Sequence, residues 1–231
     1  MKNLFIIPAR SGSKGIPDKN LKLICGVPMF VWSIVHAKYL ANTKDTICVS
    51  SDSWDYLKIA EKWGVDIIKR NTKLSTDDAS TESVMEDVVN RYNFEEQDNI
   101  ILLQPTSPLR SKETLNKFTK LFLNNVESAL TVKETTNFEW ISLEKDKFKP
   151  LYKSREPRQK MNPRYEENGS IYYTKMKYFK KYKNRVSNNS KIVIQNSIES
   201  IDIDSIDDLN LAQSIGKVFN TQWKEELKNH N

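Results

Sequence analysis

A short apolar run at positions 4–7, Leu-Phe-Ile-Ile, ends abruptly in a loop that holds two of the chain's six glycines. An apolar run without alternation is typical of a strand buried on both faces, as in a parallel sheet. Ligands of open α/β sheets bind beyond the carboxyl ends of such strands. The run therefore predicts an α/β fold whose binding loop directly follows the first strand.

The loop itself suits a phosphate group. Gly12 and Gly15 allow sharp turns and a close approach of the backbone, so that successive amide groups can converge on an anion. Arg10, Lys14 and Lys19 add positive charge, Arg as a planar fork and Lys as point charges. An exposed basic turn has a similar composition, but the buried strand ahead of the loop favours a phosphate site.

Spacing excludes two familiar phosphate motifs. In the nucleotide-binding P-loop the second glycine precedes Lys and Ser or Thr, whereas Gly15 precedes Ile and Pro, and the dinucleotide fingerprint G-x-G-x-x-G is absent. Residues 9–20, ARSGSKGIPDKN, instead resemble the pattern A-R-x-x-S-K-x-x-x-x-K-N of the acylneuraminate cytidylyltransferases, or CMP-sialic acid synthetases. The related CMP-Kdo synthetases end this loop in Lys-Pro, so Lys19-Asn20 favours the sialic acid branch. The resemblance implies that the nucleotide is bound by Ala9, Arg10, Ser13, Lys14, Lys19 and Asn20.

Length and composition are those of a soluble globular protein. The 231 residues, 38% hydrophobic and 29% charged, are enough for one domain over positions 1–231 with a substantial core. No apolar run reaches the roughly 20 residues of a membrane span, and Met1 leads straight into a strand instead of a signal peptide. We therefore expect a cytoplasmic protein with no membrane partner. Cys25 and Cys48 lack disulfide or metal-ligand spacing, so we expect reduced structural thiols.

The net charge of +6 suits an anionic small ligand or nucleic acid. Outside two clusters at positions 14–22 and 175–191, however, the lysines alternate with acidic residues. We therefore expect no nucleic acid partner. A basic nucleic-acid-binding protein that keeps an inactive transferase fold is the alternative from another class.

Strand and helix patterns alternate along the first half of the chain. This alternation predicts a mostly parallel sheet with helices on both faces, and the resemblance implies the Rossmann-like fold of nucleotidyltransferases. The predicted strands lie at 4–7, 46–50, 66–69, 99–103 and 128–132, and the predicted helices begin at Pro28 or lie at 54–63, 81–92 and 115–123. The Ser-Asp-Ser at 51–53 is a plausible cap for the second helix.

Two further segments carry the resemblance. Residues 75–81 suit helix capping on composition alone, but the family has Arg followed by L-x-x-D-x-A-[ST]-[ST] here, which implies that Arg70 and Thr81 contact the nucleotide. Residues 102–110, LLQPTSPLR, match a second family signature without a gap. Gln104 offers a donor and an acceptor at the tip of a buried strand, for a base edge, a sugar amide or simply the neighbouring turn. The resemblance implies a substrate contact near the reacting centre.

Residues 133–167 lack a clean period and combine scattered aromatic residues with three prolines. An irregular segment of this length is typical of a functional or interacting arm. Exposed aromatic residues are unfavourable on a monomer, so we expect a homodimer. The family has a protruding subdomain here that exchanges contacts across a dimer, which implies a dimerisation arm inserted into the domain.

The arm returns through Arg158-Gln159 to Asn-Gly-Ser-Ile-Tyr at 168–172. The family shows R-Q and N-G-[AS]-I-Y at this place, which implies that Arg158, Gln159 and Tyr172 contact the sugar. A guanidinium can bind the carboxylate of an acidic sugar through two parallel hydrogen bonds. Ordinary strand packing explains Tyr172 equally well.

Asp202 and Asp204 lie two residues apart in a predicted strand, so both carboxylates face the same way. Such a pair repels unless a cation lies between the two groups, and Mg²⁺, or Mn²⁺ in its place, suits carboxylates together with phosphate oxygens. Ser205 is expected to cap the following helix, with Asp207 and Asp208 in its first turn. The family motif D-[IVL]-D implies that Asp202 and Asp204 are the metal ligands.

The implied reaction is attack of the anomeric hydroxyl of a nonulosonic acid on the α-phosphate of CTP, giving a CMP-sugar and pyrophosphate. Arg10, Lys19, Asp202 and Asp204 are the expected catalytic residues, and no His stands ready as a base. N-acetylneuraminate is the expected sugar, and legionaminate, pseudaminate and Kdo are the alternatives. Sialic acid enzymes of the family tend to place aromatic residues from the partner subunit here, whereas the segment 175–191 of this chain is basic, rich in Asn and has Tyr182, so the sugar stays open.

Overall fold

The computed structural model describes residues 1–122 and 126–228. The described residues form eleven strands: β1 (Asn3–Pro8), β2 (Leu23–Ile24), β3 (Val27–Pro28), β4 (Thr46–Ser51), β5 (Asp66–Lys69), β6 (Asn99–Leu103), β7 (Ser128–Thr135), β8 (Trp140–Ser142), β9 (Phe148–Pro150), β10 (Arg164–Lys175) and β11 (Lys191–Gln195). They also form seven α-helices: α1 (Met29–Leu40), α2 (Trp54–Lys62), α3 (Thr81–Val89), α4 (Lys112–Phe122), α5 (Met176–Tyr182), α6 (Ile206–Phe219) and α7 (Lys224–Lys228).

Seven strands form the central sheet in the order β11-β7-β10-β6-β1-β4-β5. Neighbouring strands pair in parallel except at β10, which runs antiparallel to both β6 and β7. Strand β1 lies between β6 and β4, and its residues 4–7 are fully buried. The predicted mostly parallel sheet is therefore confirmed.

Successive residues of β1 enter two different apolar clusters. Phe5 and Ile7 pack with residues of α1, α2, α4 and α6, whereas Leu4 and Ile6 pack with residues of α3 and α5. Because side chains alternate across a strand, these clusters lie on opposite faces of the sheet. The expected helices on both faces are thus confirmed.

Several predicted boundaries differ from the structure. The third predicted helix, 81–92, ends at Val89. The fourth begins earlier than predicted, at Lys112, because the Ser111 hydroxyl accepts the Thr114 N–H at 3.1 Å and caps the first turn; its predicted end at position 123 lies outside the described residues. The prediction of a strand through Asp202 and Asp204 was wrong, because this segment is an irregular link attached by the Ile203 N–H to the Thr106 carbonyl at 2.9 Å.

Residues 133–167 contain the small antiparallel hairpin β8–β9, which the sequence pattern did not reveal. The base of this segment is formed by the end of β7 and the start of β10, where Thr135 pairs with Arg164. Trp140 and Phe148 on the hairpin are 52% and 61% exposed. Such an apolar surface is typical of an interaction site. Among the helices that the structure describes, none is long and apolar enough to cross a bilayer.

Candidate functional site

The glycine loop after β1 is attached to the neighbouring strand β4. The Ser11 amide and hydroxyl both donate to the Asp52 carboxylate, at 2.8 and 2.6 Å. Burial acts to raise the pKa of Asp52, but the two Ser11 hydrogen bonds, together with the Asp52 amide and the charge of Arg70, lower that pKa overall. The Ser-Asp-Ser pattern at positions 51–53 predicted only a helix cap. Ser53 does occupy the N-cap of α2, but without a capping side-chain hydrogen bond.

At its other end the loop closes on itself, since Asn20 Nδ2 donates to the Arg10 carbonyl at 2.9 Å. Gly12 adopts a φ of 70°, in the left-handed region that favours glycine. Attachment at Ser11 and Asn20 therefore defines the course of the loop before any ligand binds.

A cleft of about 350 Å³ opens between this loop, the segment before α3, the turn after β6 and residues 202–204 before α6, which we call the acidic segment. Most of the predicted site residues line it: Arg10, Ser13, Lys14, Lys19, Asn20, Arg70, Thr81, Gln104 and Asp204. The carboxyl ends of parallel strands are where open α/β sheets bind ligands, and β1 and β6 end here.

The acidic segment contacts the cationic loop directly. Lys19 Nζ donates to the Asp204 carboxylate and to the Ile203 carbonyl, both at 2.8 Å. A Cβ on Gly15 would lie 2.7 Å from the Asp204 carbonyl oxygen, so this approach requires glycine. Groups 185 residues apart in the chain thus meet at one cleft.

Asp202 lies beside the cleft wall and close to Gly169, where a Cβ would be 3.7 Å from Asp202 Oδ2. Its pKa is raised, chiefly by desolvation and further by repulsion from Asp204, while a hydrogen bond with Thr106 opposes the shift. Two carboxylates that repel each other suit a hard divalent cation. No group of three or more His, Cys, Asp or Glu side chains that could hold a metal ion occurs in the described part of the chain.

Arg70 is a buried cation at the cleft. Its side chain lines the cleft although the residue is only 4% exposed. Burial lowers its pKa, and its Nε and Nη2 atoms find no acceptor among residues 1–122 and 126–228. Buried donors are almost always paired, because an unpaired one costs about 1–3 kcal/mol. This guanidinium therefore has free donors for a negatively charged ligand.

Asp77 is a cleft residue that was not predicted from the sequence. Its carboxylate lies between Arg10 Nη2 at 2.7 Å and Lys14 Nζ at 2.5 Å. Hydrogen bonds from Lys14 and then Arg10 lower its pKa. Its signal in the sequence is the Asp of the family pattern L-x-x-D, from which the resemblance implied roles only for Arg70 and Thr81. A carboxylate thus neutralises the two cations that we expect to bind phosphate.

Five predicted residues do not line the cleft. Ala9 is buried beneath it, where its N–H donates to the Ser50 carbonyl at 2.9 Å. Tyr172 is buried within β10, where its hydroxyl donates to Glu167 at 3.1 Å, and Asp202 lies just outside the lining. Arg158 and Gln159 are exposed in a single 3₁₀ turn of the arm.

The sheet topology and a cleft with a cationic glycine loop facing an acidic segment define an α/β protein of the nucleotidyltransferase type. A solved structure of CMP:2-keto-3-deoxy-manno-octonic acid synthetase complexed with CTP has the same fold, with a TM-score of 0.68, 15% identity and coverage of 93% of this chain and 98% of that one. The family described as Cytidylyltransferase matches residues 4–224, and the chain belongs to this family.

Two curated relatives extend the comparison. The N-acylneuraminate cytidylyltransferase of Streptococcus agalactiae serotype V is 32% identical over 231 residues, which cover 95% of this chain and 54% of the relative. The CMP-N,N'-diacetyllegionaminic acid synthase of Legionella pneumophila is 32% identical over 226 residues, which cover 93% of this chain and 96% of the relative. The chain therefore spans about half the length of the first relative and nearly all of the second.

Proposed function

We propose that this chain transfers the cytidylyl group of CTP to a nonulosonic acid, giving a CMP-sugar and pyrophosphate. The observation that carries the proposal is the buried Arg70 guanidinium, with its free donors, in one cleft with Arg10, Lys14 and Lys19. A triphosphate has the acceptor oxygens that Arg70 lacks, and its charge can replace Asp77 at Arg10 and Lys14. Membership of the cytidylyltransferase family supports CTP as the nucleotide, and the names of the relatives support a nonulosonic acid as the sugar.

In this proposal Arg10 and Lys14 exchange Asp77 for phosphate oxygens when CTP binds. Lys19, in contact with Asp204, neutralises charge on the transferring group, and Arg70 and Thr81 bind the nucleotide from the opposite wall. The anomeric hydroxyl loses its proton to water and its oxygen forms a bond to the α-phosphorus, while the bond from that phosphorus to the bridging oxygen of pyrophosphate breaks. Fixed cations aimed at developing charge are the main contribution expected from such a site.

Asp202 and Asp204 are the proposed ligands of Mg²⁺, with Mn²⁺ as a substitute. The two carboxylates repel each other and leave room for substrate oxygens, which fits the preferences of this ion. When bound, the ion would neutralise phosphate charge and make the sugar hydroxyl more acidic. For its part, Lys19 holds the Asp204 carboxylate at the cleft.

The proposed sugar contacts are Gln104, Arg158, Gln159 and Tyr172. Gln104 is already at the cleft, whereas Arg158 and Gln159 lie on the arm. We therefore propose a homodimer in which the arm completes the sugar site, and the exposed Trp140 supports such an interface. Because CTP is a cytoplasmic nucleotide, we also propose a cytoplasmic location.

N-acetylneuraminate is the proposed substrate, with legionaminate, pseudaminate and Kdo as alternatives. The neuraminate and legionaminate relatives are equally similar at 32% identity, so identity does not select the sugar. The test is pyrophosphate release from CTP and Mg²⁺ with each of the four sugars in turn. We expect release with one nine-carbon acid sugar and none without sugar; no release with any of them would refute the proposal.

The metal assignment has a matched pair of variants. Asp204→Asn should lower turnover by about 100-fold or more, because it removes a ligand and a charged group at the reacting centre. Asp207→Asn changes the same residue type three positions along, in the exposed first turn of α6, and should keep full activity. Both should melt within a few degrees of the unaltered protein. Full turnover of Asp204→Asn would contradict the assignment.

A further inference from the structure

Arg110 ends the run 102–110 and has no role in the proposed reaction, yet its side chain is fully buried. Its guanidinium donates from Nε to Ser170 Oγ at 2.9 Å, and from Nη2 to the carbonyls of Gln104 and Ser170 at 2.6 and 2.8 Å. Nη1 contacts Ser33 Oγ and His36 Nδ1, both at 3.2 Å. One side chain thus joins the turn after β6 to β10 and to α1.

This burial is energetically unfavourable by itself. Desolvation lowers the pKa of Arg110 to about 9, so the group still carries its charge at neutral pH. Within the described ranges no carboxylate forms an ion pair with Arg110. The negative charges of Asp202 and Glu199 act to raise its pKa, but only from a greater distance. A buried charge without an adjacent counterion is costly. The hydrogen bonds that it makes must therefore achieve something that an apolar side chain would not.

The hydrogen bonds of Arg110 attach the turn after β6, which contributes to two parts of the cleft. The Gln104 N–H donates to the Ser170 carbonyl at 3.1 Å while the Gln104 carbonyl accepts from Arg110, so both polar main-chain groups of Gln104 are held. Two residues further on, the Thr106 carbonyl accepts the Ile203 N–H at 2.9 Å. The same turn therefore carries Gln104 into the cleft and supports the acidic segment.

We propose that Arg110 is a positioning residue for the transfer reaction: it holds the main chain of Gln104 against β10, so that the Gln104 side chain meets the sugar at a defined place. Arg110 touches no substrate and acts through Gln104. The inference rests on the proposed function. A side chain acting in this way affects the sugar step more than the binding of CTP.

The test is a double-mutant cycle between Arg110→Met and Gln104→Ala. Arg110→Met should lower kcat/KM for the sugar by about 100-fold, because a displacement of about 1 Å is enough for such a loss. The affinity for CTP, titrated without sugar, should stay within about twofold, and on the Gln104→Ala background Arg110→Met should add less than about threefold. Arg110→Lys, which keeps the charge but not the planar fork, should recover only part of the activity.

Trp223→Phe is the matched control. The Trp223 indole donates to the main-chain carbonyl of Arg110 at 3.0 Å, so its loss disturbs the same region without touching the guanidinium. This variant should melt at a lower temperature but keep kcat/KM for the sugar. Hydrogen exchange at the Gln104 amide, measured without substrates, should accelerate in Arg110→Met and stay slow in Trp223→Phe.

Independent, additive effects of Arg110 and Gln104, or an equal loss of CTP affinity, would show that Arg110 only stabilises the fold. Unchanged exchange at Gln104 in Arg110→Met would also overturn the inference. The proposed function fails differently, through an unaltered protein that uses no acid sugar. The exchange measurement tests Arg110 in either case, because it needs no substrate.

Discussion

Asp77 shows how single charges prepare the cleft for a ligand. Its carboxylate occupies Arg10 and Lys14, the two cations at the mouth of the glycine loop. Exposed ion pairs of this kind contribute little to stability. A multiply charged phosphate chain can therefore displace the Asp77 carboxylate. Before such a ligand binds, the ion pairs with Asp77 keep Arg10 and Lys14 oriented.

The first prediction concerns this carboxylate. Asp77→Asn should tighten CTP binding by about two- to fivefold, because the ligand no longer displaces an exposed ion pair. Calorimetric titration with CTP measures the change. Asp78→Asn is the control, since Asp78 forms no ion pair within the described chain. Weaker binding by Asp77→Asn would mean that Asp77 assists the ligand instead of competing with it.

A second residue-scale prediction concerns His36, which is fully buried in α1. Burial, and then the charge of Arg110, lower its pKa well below the usual value. Because Arg110 donates to Nδ1, the proton of the neutral ring lies on Nε2. The unfolded chain binds a proton here below about pH 6.5 and the folded chain does not. The folded protein is therefore not destabilised by His36 above that pH, and its free energy of unfolding decreases as the pH falls below it.

Urea unfolding between pH 7.5 and 5.0 tests this. His36 alone should lower the free energy of unfolding by about 1.4 kcal/mol per pH unit below pH 6.5. His36→Gln keeps an acceptor for Arg110 but does not titrate, so its stability should depend less steeply on pH. Parallel curves for the two proteins would contradict a neutral buried imidazole.

At the scale of elements, the glycine loop and the acidic segment are held at a fixed separation. Gly15 lies against the Asp204 carbonyl, and Lys19 joins the two segments from the side. Ser205 caps α6 as expected, and Asp208 completes a capping box that was not predicted; together they fix where the acidic segment ends. Small changes at this contact should therefore alter the chemistry more than the stability.

Gly15→Ala tests the contact. A Cβ at 2.7 Å from a backbone oxygen must push the loop away from Asp204, and we expect turnover to fall by about 100-fold. Gly64→Ala is the comparison, because Gly64 has a φ of 63° at the end of α2, outside the cleft. That variant should lose stability but keep its turnover. Equal turnover of the two variants would show that close approach at Gly15 is not needed.

At the scale of the whole molecule, the arm is built as an extension of β7 and β10. Since Thr135 pairs with Arg164 at its base, an Asn-Gly turn in place of residues 136–163 should close the two strands directly. The shortened protein should keep its central sheet, and CTP should still raise its melting temperature. It should become monomeric in light scattering and lose sugar-dependent turnover. A persistent dimer would assign the interface to another surface.

The sequence predicted two strands of the central sheet with the bounds that the structure has. The bounds of β5 and β6 agree with prediction, because their short runs end at polar turns. The hairpin β8–β9 was missed because its apolar residues face solvent and follow no period. The place of β10 between β6 and β7 was also unpredicted, because strand order depends on pairing between distant segments.

By itself the sequence determined the α/β class, the cationic glycine loop and the cap of α6, since burial patterns and turn chemistry act over a few neighbouring residues. Only the tertiary structure decided that Lys19 meets Asp204, that Asp77 occupies two cations, and that Arg70 keeps free donors. The same holds for Arg110 beneath the cleft. Charge pairing and desolvation depend on which distant segments the fold brings together, and no local pattern carries that information.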